Sequence, residues 1–214
     1  MQVFEEEGLE YVLVGGYAVS AFKHRFSVDA DVVVMREDVD DFRLILEEEG
    51  FVETERNDLE QRYGSEFLAF QKTEELPVTV DLLVEALNCR QTDASWSYRY
   101  MKQNSLERVI EGSESEIQAV IPEKELFMAI KMHSARLTDC RDVLALMPAD
   151  LHKLETHLDR GDPDKLGESL KKVRETLKSE GFEDSFKGVF FEKEFLGDAV
   201  SELLGFVDQQ IDRL

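Results

Sequence analysis

The chain has 214 residues, 43% of them hydrophobic, and its 25 basic against 47 acidic side chains give a formal net charge of -22. That apolar content supports one sizeable core, or a core domain with a helical appendage, and argues against a disordered chain. The charge argues against a broad basic surface for nucleic acid, though not against a small local basic site.

The acids are spread over the whole length rather than gathered in a tail. Their mutual repulsion weakens a compact state in dilute buffer, and concentrated salt, with a Debye length of ~3 Å, screens it. A salt-loving, halophilic source is the expectation, set against an acidic protein of an ordinary cell. No run approaches the ~20 apolar residues of a membrane span. The opening MQVFEEEGLE has neither the basic nor the apolar region of a signal peptide, so the expected location is cytoplasmic. Cys89 and Cys140 lie far apart and outside any C-x-x-C pattern, which argues against a disulfide framework or a thiolate zinc site.

In chain order, residues 2–9 read as a short helix feeding a strand over residues 11–14. Gly15-Gly16 breaks that strand, residues 17–23 read as a helix with Ala18, Val19 and Phe22 inward, and residues 24–27 as a turn. A second strand is expected over residues 30–35. A helix follows over residues 39–49, with Phe42, Ile45 and Leu46 inward and Gly50 as its stop. Residues 51–56, 65–71 and 76–84 read as strands, the last mostly apolar and therefore central. Residues 88–104 read as a loop or short helix, and residues 116–121 as a further strand ending at Pro122. Helices are expected over residues 123–136, 139–147 with Thr138 as N-cap, 149–159, 163–179 and 195–214, with a short aromatic helix or turn over 182–191. The boundary near Pro122 divides residues 1–122 from residues 123–214.

The chemistry concentrates between residues 11 and 35. Asp29 and Asp31 are two apart on a strand, so their carboxylates share a face and can converge on an oxygen-loving cation such as Mg²⁺. Asp81 is the one charged residue inside an otherwise apolar strand, where a carboxylate is costly unless paired or metal-bound. Three carboxylates at one sheet suit divalent ions that activate a hydroxyl and stabilise a leaving pyrophosphate. Gly15-Gly16 lets backbone amides approach phosphate. The opposing readings are a turn aspartate with a solvated strand end, and a tight turn with no ligand.

The run Val14-Gly15-Gly16-Tyr17-Ala18, the spacing Arg25-x-Ser27-x-Asp29-x-Asp31 and the later strand with Asp81 resemble the nucleotidyltransferase superfamily of the DNA polymerase β-type fold. In particular they are similar to its small AbiEii-like branch, which has relatives among prokaryotic toxin–antitoxin proteins. Glu123-x-x-x-Phe127-x-x-x-Lys131-x-x-x-Ala135-Arg136, followed by Asp139-x-x-Asp142-Val143, resembles that branch's helical motif. The resemblance covers residues 8 to 147. It implies an α+β fold with a mixed sheet and a helical C-terminal region that completes the cleft. It also implies transfer of a nucleoside monophosphate from an NTP to a hydroxyl of RNA (tRNA) or protein, with Mg²⁺ or Mn²⁺ as cofactor and an antitoxin as a candidate partner.

Residue by residue, the resemblance makes Asp29, Asp31 and Asp81 the metal ligands, with Asp81 also positioning or deprotonating the acceptor hydroxyl. Gly15 and Gly16 would line the phosphates, Arg25 and Lys131 would contact them, and Asp139 and Asp142 would shape the site from the helical side. Two departures stand out: many relatives have Gly-Ser where this chain has Gly15-Gly16, and often a lysine where it has Thr138. Ser20, one turn on, is the candidate replacement for the missing hydroxyl.

Other readings of these residues stand beside the resemblance. Lys131 lies on an apolar face from which it can snorkel, and Arg136 and Arg141 can pair with Asp139 and Asp142. His133 suits a structural role, and His24 is a second candidate beside Arg25 for phosphate. The patch from Trp96 to Lys102 suits base stacking or packing onto the core. Leu166, Leu170, Val173 and Leu177 suit bundle packing or a partner. The rival to an enzyme is a non-catalytic nucleotide-binding or interaction module of the same fold.

Overall fold

The computed structural model describes residues 1–25, 27, 29–57, 67–73, 77–111 and 116–214. The backbone forms an α+β chain with a mixed sheet followed by helices, as expected. It divides into two compact units. The first holds Met1–Ala21, Arg25–Asn88 and Trp96–Pro122; the second holds Phe22–His24, Cys89–Ser95 and Glu123–Leu214.

In the first unit, α1 (Gln2–Glu6) leads into β1 (Tyr11–Val14), α2 (Gly15–Ser20), β2 (Asp29–Val34) and α3 (Val39–Glu48). Then come β3 (Val52–Asn57), β4 (Phe67–Lys72) and β5 (Val78–Val84). The expected strands over 65–71 and 76–84 begin on residues 65, 66 and 76, which lie outside the described residues. The five strands run in the order β1-β2-β5-β4-β3. The β2–β5 pair is parallel, and the other neighbours are antiparallel.

Side-chain alternation sorts this sheet into two faces. Tyr11 and Leu13, Ala30, Val32 and Val34, Val80, Leu82 and Val84, and Leu68 and Phe70 share one face through the strand register, and all are buried. The core there includes Phe4, Tyr11 and Phe42, whose rings meet edge to face at centroid distances of 4.8 to 6.4 Å. The other face carries Val12 and Val14, Asp29, Asp31 and Val33, and Thr79, Asp81 and Leu83.

The stretch expected as a loop or short helix over 88–104 holds such a helix, α4 (Tyr98–Gln103), and adds strands that were not expected, the end of β6 (Ala86–Cys89) and β7 (Ala94–Ser97). In β7, Ala94 and Trp96 are buried while Ser95 and Ser97 are exposed, and the Ser97 hydroxyl then caps α4 by accepting the Tyr100 N–H. A further unexpected strand, β8 (Ser105–Glu111), pairs antiparallel with β9 (Glu116–Pro122).

In the second unit, α5 (Lys124–Ser134) is the central element. Residues Leu126 to Met132 are buried all round the helix, as in a helix enclosed by neighbours. Against it pack α6 (Leu137–Ala145), α7 (Leu151–Leu158) and α8 (Pro163–Leu177). α9 (Phe182–Phe190) gathers Phe182, Phe186 and Phe190, and α10 (Gly197–Arg213) packs along α8. Leu166, Leu170, Val173 and Leu177 are all buried, which makes them bundle packing. Asp150 and Asp162 cap α7 and α8 by accepting backbone N–H groups at 3.0–3.1 Å. Thr138 is not the cap of α6. The helix starts two residues earlier than expected, at Leu137, with Arg136 as its N-cap and Asp139 reaching back to accept the Arg136 N–H at 3.3 Å. No helix among the described residues is long and apolar enough to cross a membrane.

Candidate active site

Asp29 and Asp31 open β2, two residues apart on one face. The parallel register sets Asp31 beside Asp81 and Asp29 beside Thr79, so all four side chains leave the same face of neighbouring strands. Asp31 and Asp81 are half-buried, and Asp29 is exposed. Adjacent strands lie about 4.8 Å apart. At that spacing two carboxylates repel by roughly 3 kcal/mol at an effective dielectric of ~20. A divalent cation between them turns that repulsion into attraction. The Thr79 hydroxyl donates to Asp29 Oδ1 at 2.6 Å, which fixes the carboxylate's rotation and leaves its second oxygen for another partner. Thr79 was open to sequence reasoning, since it lies two residues before Asp81 and so on the same face.

The glycine turn stands against these carboxylates. Val14 is the register partner of Asp31, and Gly15 follows it at φ +68°. A Cβ on Gly15 would sit 1.8 Å from Asp31 Oδ2, so both backbone and space require glycine there. Gly16 has no such backbone demand, yet a Cβ there would sit 2.6 Å from Ser27 Oγ and 2.8 Å from Arg25 Nη2. Ser20 turns away: its hydroxyl donates to the Tyr17 carbonyl at 2.6 Å within its own helix. It is therefore a poor replacement for a hydroxyl at position 16. His24 is exposed and belongs to the second unit.

Lys131, Asp139 and Asp142 are brought together within the second unit, and all three are buried. The Lys131 ammonium donates to Asp139 Oδ1 at 3.1 Å and lies 2.9 Å from Asp142 Oδ2. Arg136 Nε donates to Asp139 Oδ2 at 2.7 Å from a side chain that is 68% exposed. Burial alone would raise the Asp139 pKa, but the Lys131 and Arg136 charges outweigh it and hold the carboxyl below its ordinary range. Arg141 donates instead to Ser185 Oγ at 3.0 Å. His133 is structural: its ring lies 2.6 Å from Thr92 Oγ1 and 2.9 Å from the Leu158 carbonyl. Trp96 and Tyr98 are buried and pack the core, so they are not exposed platforms for bases.

Among the described residues, no group of three or more His, Cys, Asp or Glu side chains is already gathered around a single point. The donor set on the sheet face is nonetheless all oxygen and anionic, which fits a hard cation such as Mg²⁺ or Mn²⁺ and not a soft one. No protein-family model matches the sequence, and no curated protein is significantly similar to it. Among solved structures, the chain is similar to the antibiotic-resistance factor ANT(2'')-Ia at 16% identity, over 99% of this chain and 89% of that one, with a TM-score of 0.39. It is also similar to an H. pylori protein named provisionally as a nucleotidyltransferase, at 16% identity over 95% of this chain and 87% of that one, with a TM-score of 0.40. Likeness of that size does not by itself establish a shared fold or activity.

Proposed function

We propose that the chain is a nucleotidyltransferase that moves a nucleoside monophosphate from an NTP to a hydroxyl. The observation that carries this reading is the register of β2 with β5, which sets Asp31 beside Asp81 and puts Asp29 on the same face, with the Gly15 turn against Asp31. A carboxylate face beside a side-chain-free turn suits a metal-bound polyphosphate. The motifs that resemble the nucleotidyltransferase superfamily support the same reading.

In the reaction, the acceptor oxygen attacks the α-phosphorus, the bond to the bridging oxygen breaks and pyrophosphate leaves. Asp81 takes the acceptor's proton. Asp29 and Asp31, with Asp81, would hold Mg²⁺ or Mn²⁺, which supplies charge stabilisation to the triphosphate when bound. Gly15 gives the phosphates access to the backbone, and Arg25 supplies positive charge. We assign Lys131, Asp139 and Asp142 to holding the helical unit together, because two buried carboxylates already take the lysine's charge. The acceptor class we propose is an RNA end, tRNA included, or a protein side chain. An AbiEii-like place in a toxin–antitoxin pair, with an antitoxin as partner, rests on the motif resemblance alone. The net charge supports a halophilic source.

The test is incorporation of labelled NTP into tRNA and into cell protein, in dilute and in concentrated KCl. Wild type is expected to label one of them, and Asp29→Ala with Asp31→Ala to abolish the labelling. An unlabelled wild-type reaction in both salts, or full labelling by the double variant, refutes the reading.

A further inference from the structure

Adjacent glycines in one turn face groups of opposite character. Gly15 abuts the Asp31 carboxylate, while the space beside Gly16 is filled by Ser27 Oγ, Arg25 Nη2 and, at 3.3 Å from the absent Cβ, Arg25 Cζ. Gly16 is not among the glycines at positive φ, so backbone conformation does not demand it. The space beside it is taken by the ends of two side chains, a hydroxyl and a guanidinium. A serine at position 16 would put its own Oγ about one bond length from its Cβ, in the region Ser27 Oγ already occupies. Ser27, two residues before β2, thus places a hydroxyl where a residue-16 side chain would otherwise sit. The Ser27 hydroxyl also makes a long hydrogen bond, 3.4 Å, to the Asp29 carbonyl.

We propose that Ser27 binds the triphosphate oxygens of the nucleotide, paired with Arg25 on the same side of Gly16, and that glycine at position 16 leaves room for these two side chains. The ligand class is a polyphosphate: the guanidinium presents forked donors that match phosphate oxygens, and the hydroxyl adds a charge-assisted bond. Asp31 on the far side of the turn keeps the cation-binding carboxylates apart from the anion-binding pair. The proposal rests on the nucleotidyl-transfer reading and adds a residue to it.

The test is an exchange of side chains across the turn, with Ser27→Ala, Gly16→Ser and the double variant compared with wild type. Binding of ATP with Mg²⁺ and of inorganic tripolyphosphate is measured by calorimetry, and thermal unfolding by circular dichroism. Ser27→Ala is expected to weaken both ligands about tenfold while leaving the unfolding temperature nearly unchanged, the loss expected for one hydrogen bond to a charged group. Gly16→Ser is expected to weaken binding at least as much and to lower the unfolding temperature, because its side chain meets Ser27. The double variant should recover both, to within about threefold of wild-type affinity. Wild-type binding that is unaffected by Ser27→Ala, or a double variant no better than the worse single one, overturns the role of Ser27 and leaves the nucleotide reading standing. A wild-type protein that binds neither ligand overturns both.

Discussion

His133 gives the helical unit a calculable sensitivity to acid. Its ring is fully buried on α5. A carbonyl can only accept, so Nε2 carries the proton and donates to Leu158, and Nδ1 accepts from the Thr92 hydroxyl. Burial pushes the imidazole pKa down from 6.5 to about 4; the Leu158 carbonyl opposes this, and the Arg160 charge adds to it. Between those two values the unfolded chain binds a proton that the folded chain does not. The histidine's contribution is therefore intact above pH 6.5, declines as the pH falls, and is fully lost below about pH 4. The complete loss is about 3 kcal/mol, of which about 2 kcal/mol has gone by about pH 5.

Urea unfolding of wild type and His133→Gln, at about pH 7.5 and about pH 5 in the same KCl, isolates this effect. The many acidic residues titrate in both proteins and cancel in the difference. Wild type is expected to lose about 2 kcal/mol more than the variant over that interval. Equal losses would mean that His133 is protonated in the folded state, and the hydrogen-bond assignment would be wrong.

Two further outcomes follow from the ion cluster and from the carboxylate face. Lys131→Met removes the buried cation that lies between Asp139 and Asp142 and leaves both carboxylates buried, and is expected to cost about 3–5 kcal/mol in urea unfolding. Adding Asp142→Asn should return part of that loss, and unchanged stability in the single variant would refute the cluster's structural role. Thr79→Val keeps the volume but removes the hydroxyl that orients Asp29. It is expected to weaken Mn²⁺ binding, followed by electron paramagnetic resonance, about tenfold, with Thr79→Ser close to wild type. Equal Mn²⁺ affinity in Thr79→Val would remove Thr79 from the site.

The elements that read well from sequence are those whose burial follows a simple period. β1, β2 and β5 are apolar runs buried in a sheet, and α3 and α8 carry apolar residues at helical spacing. Asp81 was conspicuous because it breaks such a run. Residues 88–104, where a short helix was expected but the strands before it were not, mix aromatic and polar residues. There, period two over β7 gives way to a helical turn in α4 within ten residues, too few for either period to register. Lys131 was ambiguous for a different reason. Its own helix shows only an apolar face with one charge, and the partners that decide its role lie eight and eleven residues onward on α6. Thr138 has the residue type of a cap, but the cap geometry is set by a carboxylate one residue later. Ser27 and Thr79 matter through contacts across strands and turns, which a short polar residue does not announce.

The charge distribution joins the fold to the proposed chemistry. A chain at -22 repels a triphosphate at long range. Many of its cations are already matched to carboxylates: Lys131 to Asp139 and Asp142, Lys153 to Glu123, Lys165 to Asp93, Lys187 to Glu183, and Lys23 to Glu192. Attraction for an anionic substrate therefore has to be local, and the Gly15-Gly16 turn provides a place where it can be. Behind one glycine stand the carboxylates that would hold a cation, and beside the other stand a guanidinium and a hydroxyl. Salt acts on the two ranges differently. Shortening the Debye length from about 10 Å to about 3 Å removes the long-range repulsion, yet weakens contacts at hydrogen-bond distance much less. A protein that holds nucleic acid on a broad basic surface loses affinity as salt rises. A polyphosphate site built into an acidic chain in this way keeps its contacts and loses its barrier to approach.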